Sequence, residues 1–215
     1  VNALLSYWVD AGYIRGNPLS LIRRRNKTLT PSTHDVIAQE RFLDQKTWGH
    51  LKGYIAALPQ GTRREIEQFE RVRFLFHFLF LLAPRVSEVA SHSMNSFREF
   101  RGKWWWFVEG KGGKHAKVPV NDEMLDALMR YRRFLDLDDL PKEDDRSPIF
   151  RSIKGTSGVS DNMIYRLVKE NVRGAADTLE AESPINARKL RKASCHWLRH
   201  TAVTNSDNSG IGIKY

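Results

Sequence analysis

Apolar residues recur at helical spacing through most of the chain. Leu4, Leu5, Trp8 and Val9 share one face and predict a helix over residues 2–14, stopped by Gly16-Asn17-Pro18. After a short turn over 18–22, the stretch from Arg23 to Pro31 has no hydrophobic period and reads as a linker. A helix of about 14 residues cannot fold alone, so residues 1–22 read as the tail of a domain whose front is missing. Asp44 or Thr47 can cap a helix running through Leu58, which Pro59-Gln60-Gly61 ends. A long helix is predicted over 63–82. Its early part is amphipathic through Ile66, Phe69 and Val72, while 74–82 is apolar almost all round, as in a core helix. A short helix is expected over 86–92. Residues 103–109 and 116–120 read as strands flanking Gly110-Lys111-Gly112-Gly113-Lys114, a hairpin with a glycine-rich turn. Trp104 and Trp106 alternate with Trp105 and Phe107, so one pair is expected to pack on the core. Helices follow over 122–135 and from Ser160 through Val172. Ser183-Pro184 then opens a basic segment leading into a helix at about 195–204. The sum is a mainly α fold with a small antiparallel β-sheet, of the α+β class, without internal repeats.

Composition narrows the setting. With 41% hydrophobic and 28% charged residues, the 215-residue chain is a folded one rather than a disordered one. The longest apolar stretch, 74–83, is broken by His77 and falls short of the ~20 residues a bilayer needs, so no membrane role is expected. Residues 1–9 have neither a basic start nor a small-residue cleavage site, and the single cysteine, Cys195, excludes an internal disulfide and a cysteine-based zinc site. A cytoplasmic chain is the expectation. The net charge of +10 favours an anionic partner, and nucleic acid is the commonest one. That charge is unevenly placed. Six acids lie within 136–145, read as a solvated loop, whereas 184–215 holds six Lys/Arg and one acid and is the better DNA-facing candidate.

Three polar patterns remain: Arg85-Val86-Ser87-Glu88, Gly110-Lys111-Gly112, and His196-Trp197-Leu198-Arg199-His200. Each has a bland reading alone, as a helix-end arginine, a turn lysine and a polar helix face. Lys111 does not belong to a phosphate-binding P-loop, because G-x-x-x-x-G-K-[ST] is absent and no helix follows the strand.

In this order the three patterns resemble the tyrosine recombinase family, of the phage-integrase type. That family carries an arginine in R-x-S-E, a lysine on a hairpin in a G-K-G-x-K-like segment, and a downstream H-x-L-R-H. The usual G-L-R opening has become Ala83-Pro84-Arg85, while the 26 residues from Arg85 to Lys111 suit the family pattern. The likeness covers roughly 42–204, and residues 7–18 resemble the last helix of the family's core DNA-binding domain. The domains it implies are a remnant of that domain at 1–22, a basic linker at 23–35 and a catalytic domain, incomplete at its C-terminus, at 36–215.

The resemblance implies site-specific DNA cleavage and rejoining through a 3′-phosphotyrosyl intermediate, with no metal and no other cofactor. Arg85 and Arg199 would clamp the scissile phosphate, where forked guanidinium donors answer the charge developing on nonbridging oxygens. His196 would hydrogen-bond that phosphate or help move a proton, and Lys111 would be the general acid for the leaving 5′-oxygen. Glu88 would orient Arg85. Arg23, Arg24, Arg25, Lys27 and Lys114 would contact double-stranded DNA, on which the family assembles as a tetramer, in a prokaryotic or phage setting. An alternative is a module that holds DNA without cutting it. A metal-dependent nuclease would need carboxylates near the motifs, and only Glu88 qualifies. Tyr215 is rejected as the nucleophile. It lies 16 residues after Arg199, about half the family's interval, and the polar stretch from Thr204 is expected to end the motif helix.

Overall fold

A computed structural model of the chain describes residues 41–110, 113–153 and 155–208, with Val9, Ala11 and Tyr13 before them. The chain divides into two compact units, Val1–Glu40 and Arg41–Tyr215, and the architecture below is that of the second. The expected helix over 2–14 and the linker after it lie outside the described residues.

Side-chain caps start most of the helices. Asp44 accepts from the Thr47 N–H and opens α1, Gln45–Ala56. Thr62 and Glu65 form a reciprocal capping box that opens α2, Arg63–Leu81. Next come α3, Val86–Ser91, and a 3-10 turn, Met94–Ser96. Strands β1, Phe97–Phe100, β2, Lys103–Gly110, and β3, Lys114–Pro119, form an antiparallel sheet in the order β1-β2-β3. Asn121 and Ser160 then cap α4, Asp122–Phe134, and α5, Asp161–Leu179, and the described residues end with α6, Pro184–Lys192, and α7, Cys195–Asn208.

Helix α2 is the axis of the core. Phe74, Phe78 and Leu79 are buried, with α1, α4 and α7 packed around them. Phe74 stacks on Tyr131 of α4 at 4.1 Å, and Phe78 meets Trp106 of β2 edge-on at 5.0 Å. Each such ring contributes about 1.5–3 kcal/mol by leaving water. On β2 the even positions face this core, with Trp106 and Val108 buried and Trp104 packed against them. Trp105 and Phe107 lie on the other face beneath cations. Lys117 sits 4.8 Å from the Trp105 ring centre and Arg98 5.8 Å from that of Phe107.

The structure corrects four boundaries. Strand β1 was not expected: only Phe97 of its four residues is buried, and it joins β2 through Arg101 and Gly102, both at positive φ (55° and 72°), the geometry of a tight hairpin. Helix α5 runs past Val172 to Leu179, through Gly174. That glycine is a point of close approach, since a Cβ there would lie 2.1 Å from the Tyr54 hydroxyl oxygen. The basic segment after Ser183 is helical, with Pro184 in its first turn where no N–H is needed. Helix α7 continues to Asn208 instead of ending at Thr204, so that part of the argument against Tyr215 fails.

The acidic loop is solvated as expected at five of its six acids, and Asp145 is the partly buried exception. Arg132, at the end of α4, is 2% exposed and donates to the Asp138 carbonyl at 2.6 Å and to Asp145 Oδ2 at 2.7 Å. Burial raises the Asp145 carboxyl pKa, but hydrogen bonds from Ser147 and Arg132 outweigh it and leave the pKa below the ordinary aspartate value.

Candidate active site

The arm between α2 and α3 holds the first arginine. Leu82 ends α2, and Ala83 follows fully buried at a φ of 47°, a left-handed conformation costing a non-glycine residue about 1–2 kcal/mol. This is the position where the resemblance expects glycine. Arg85 then caps α3. Its N–H donates to Glu88 Oε2 at 2.7 Å and its Nη1 to Glu88 Oε1 at 2.6 Å. The Glu88 side chain is 6% exposed and that of Arg85 52%, so a buried carboxylate fixes one edge of a guanidinium that faces outward.

The second arginine comes to the same arm. Arg199 Nη1 donates to the Ala83 carbonyl, two residues before Arg85, although 116 residues separate donor from acceptor in the chain. Leu198 and Thr201 of α7 are buried and anchor that helix. The Thr201 hydroxyl oxygen accepts the Leu43 N–H at 3.1 Å. His196 is exposed on α7 one turn before Arg199, and its Nε2 lies 2.9 Å from Nε2 of His200. One ring must donate and the other accept, so the contact holds only while at least one is neutral. Burial and the nearby charges of His196, Arg199 and Arg41 hold His200 below the usual histidine pKa. In the sequence His200 stands only as the last member of the H-x-L-R-H pattern. It is exposed and paired, and its spacing of four from His196 was the available signal.

Lys111 lies outside the described residues. It follows β2 directly in sequence, and on the other side of the turn the Lys114 backbone pairs with Gly110. Arg23, Arg24, Arg25, Lys27 and Tyr215 also lie outside them. Part of the basic run is internally matched, because Arg191 of α6 pairs with Asp177 and Glu180 of α5. Among the described residues no three metal-ligating side chains cluster, and no helix is long and apolar enough to cross a membrane.

No family model matches the chain. It is 25% identical over its whole length to tyrosine recombinase XerC of Chlorobaculum parvum, covering 60% of that protein. It is 26% identical over 91% of its length to a tyrosine recombinase of Synechococcus elongatus, covering 58% of it. Both of these relatives are tyrosine recombinases, and the chain is similar to them in sequence. It spans about three fifths of the length of these curated relatives. Two solved structures share this recombinase fold. One is XerH site-specific recombinase bound to difH substrate in a pre-cleavage complex, with a TM-score of 0.55, 18% identity, and coverage of 79% of this chain and 44% of that one. The other is a lambda integrase dimer bound to a COC′ core site, with a TM-score of 0.53, 11% identity, and coverage of 97% of this chain and 50% of that one. The helices and three-stranded sheet of this chain share the fold of those two structures.

Proposed function

We propose that this chain is part of a tyrosine recombinase that cleaves and rejoins double-stranded DNA at specific sites through a 3′-phosphotyrosyl bond. Arg85 and Arg199 clamp the scissile phosphate, and His196 donates to it. Lys111 protonates the departing 5′-oxygen, and Glu88 positions Arg85. A tyrosine other than Tyr215 is the nucleophile. Residues 1–22 belong to a core-binding domain, and Arg23, Arg24, Arg25, Lys27 and Lys114 track the DNA backbone. The observation that carries this reading is the bond from Arg199 to the Ala83 carbonyl, which brings the H-x-L-R-H helix to the arm bearing Arg85. Two guanidiniums approaching one arm, the first braced by a buried carboxylate and half exposed, suit a dianionic transition state that forms only during reaction. Religation needs no nucleotide, because the covalent intermediate keeps the phosphoryl energy.

A nicked suicide DNA tests this. The full-length recombinase should give a covalent protein–DNA band on a denaturing gel, lost in Arg85→Ala and unaffected by EDTA. Residues 1–215 alone should bind DNA and give no band. A band from 1–215 that vanishes in Tyr215→Phe would overturn the assignment of the nucleophile. Binding without a band from the full-length protein would leave a module that only holds DNA.

A further inference from the structure

A histidine outside the motifs joins the two parts of this site. His92 caps the C-terminus of α3, where its carbonyl accepts from the Ile149 N–H at 3.3 Å and its own N–H donates to the Glu88 carbonyl. With the backbone held from both sides, the ring has a fixed origin. Its Nδ1 lies 2.9 Å from the Glu88 carbonyl oxygen, and its Nε2 accepts the Glu109 N–H at 3.0 Å. A carbonyl only accepts and a backbone amide only donates, so these partners require a neutral ring with its proton on Nδ1. The ring also meets Trp106 edge-on at 6.0 Å. Trp106 is fully buried and donates its indole N–H to Ser96, which gives the contact a rigid floor.

The sheet register explains why a side chain is needed here. Strand β1 pairs with β2 only from Lys103 to Trp106, so beyond Trp106 no strand among the described residues pairs with the side of β2 away from β3. The Glu109 amide lies in that stretch, beside a recess of about 510 Å³ bordered by Ser91, His92, Arg98, Glu109, His115 and Arg146. His92 supplies the missing acceptor. One chain of contacts therefore runs from Arg85 through the Glu88 side chain and carbonyl to His92, and on to Glu109, two residues before Lys111.

We infer that His92 is a positioning residue, setting where the lysine-bearing hairpin stands relative to the arginine-bearing helix. The inference rests on the roles proposed above for Arg85 and Lys111. It assigns His92 no contact with DNA. Losing it leaves phosphate binding intact and weakens only the delivery of the proton to the leaving oxygen.

The test uses the full-length recombinase and two suicide substrates, one ordinary and one with the leaving 5′-oxygen replaced by sulfur, a better leaving group that needs less protonation. Four proteins are compared: wild type, Lys111→Ala, His92→Leu and His92→Gln. His92→Leu should cleave the oxygen substrate at least about tenfold more slowly, as expected for a misplaced general acid. On the sulfur substrate it should return close to the wild-type rate, with DNA affinity unchanged. His92→Gln should recover much of the oxygen rate, because its side-chain oxygen can accept from Glu109. Should His92→Leu fail to fold, His92→Asn, which keeps a donor for Glu88 but is too short for Glu109, takes its place. Amide exchange at Glu109, measured without DNA, should quicken in the Leu or Asn variant and slow again in the Gln variant.

Equal slowing on both substrates, or no slowing on either, would overturn the inference, as would unchanged exchange at Glu109. If Lys111→Ala itself is not rescued by sulfur, the general-acid reading fails and this inference falls with it. Rescue of Lys111→Ala without rescue of His92→Leu removes the inference alone.

Discussion

Arg132 and Arg85 each end at a carboxylate, yet their surroundings differ in a way that separates structure from chemistry. The Arg132 side chain is 3% exposed and reaches Asp145 together with the Asp138 and Leu140 carbonyls. Its donors are consumed in holding the loop after α4. The Arg85 side chain is 52% exposed and pairs with Glu88, which holds one nitrogen and leaves the outer edge facing solvent. A guanidinium whose donors are all matched inside the fold has nothing left for a ligand. One braced on a single edge is oriented in advance without being spent.

The comparison breaks most readily at Arg132. Arg132→Met should lower unfolding stability by about 3–5 kcal/mol, because it leaves the Asp145 charge and two loop carbonyls unmatched. Urea titration checks this, and a loss under about 1 kcal/mol would mean that the loop is held by something else. Arg85→Met should weigh the other way. Stability should fall less, by about 1–3 kcal/mol, since the buried Glu88 carboxylate loses its cation but keeps the residue 85 N–H. Single-turnover cleavage by the full-length recombinase should fall by about 10²–10³, the usual cost of one transition-state donor.

Backbone strain sharpens the contrast at smaller scale, since each region contains a non-glycine residue at positive φ, Asp136 at 55° and Ala83 at 47°. Asp136 caps α4, with the Leu137 N–H returning to the Arg132 carbonyl at 3.0 Å. Asp136→Gly should raise stability by up to about 1 kcal/mol and leave cleavage unchanged. Ala83→Gly relieves similar strain but removes a buried methyl worth about 0.8 kcal/mol and frees the arm, so stability should stay level while cleavage slows several-fold.

The smallest expected effect is on pH dependence. The Asp145 pKa is lowered in the fold, so its pairing contributes stability that is fully present above the unfolded aspartate value of about 3.9. That contribution is lost as pH falls from there through the folded value. Asp145→Asn should accordingly show a shallower loss of urea midpoint on acidification below about pH 4. An identical slope in the two proteins would mean that the pair adds nothing in acid.

The elements that could be read from sequence are those whose signals are local. Asp44, the capping box at Thr62 and the apolar half of α2 each act over a few residues, and the three motifs could be matched by type and order. What stayed hidden depends on distant partners. The close approach of Tyr54 to Gly174 is one such pairing. The buried Arg132 beside Asp145 at the edge of the solvated loop is another, and His92 becomes notable only once β1 proves too short to cover Glu109. No spacing rule connects residues 83 and 199, yet the bond between them gives the site its shape.

The hydrogen bond from Leu43 to Thr201 closes a loop of 158 residues, and it has a consequence for synthesis. On the ribosome the apolar half of α2 is made well over a hundred residues before α7, one of the helices that cover it. At ordinary translation speeds of about 5–20 residues per second, that leaves a hydrophobic face uncovered for roughly 6–25 s. During this interval chaperones have something to hold, and the nascent chain has no second arginine to bring to its first. Completion of the core and the arrival of Arg199 at the arm bearing Arg85 are then a single event, so a chain released early is exposed to proteolysis before its two arginines come together.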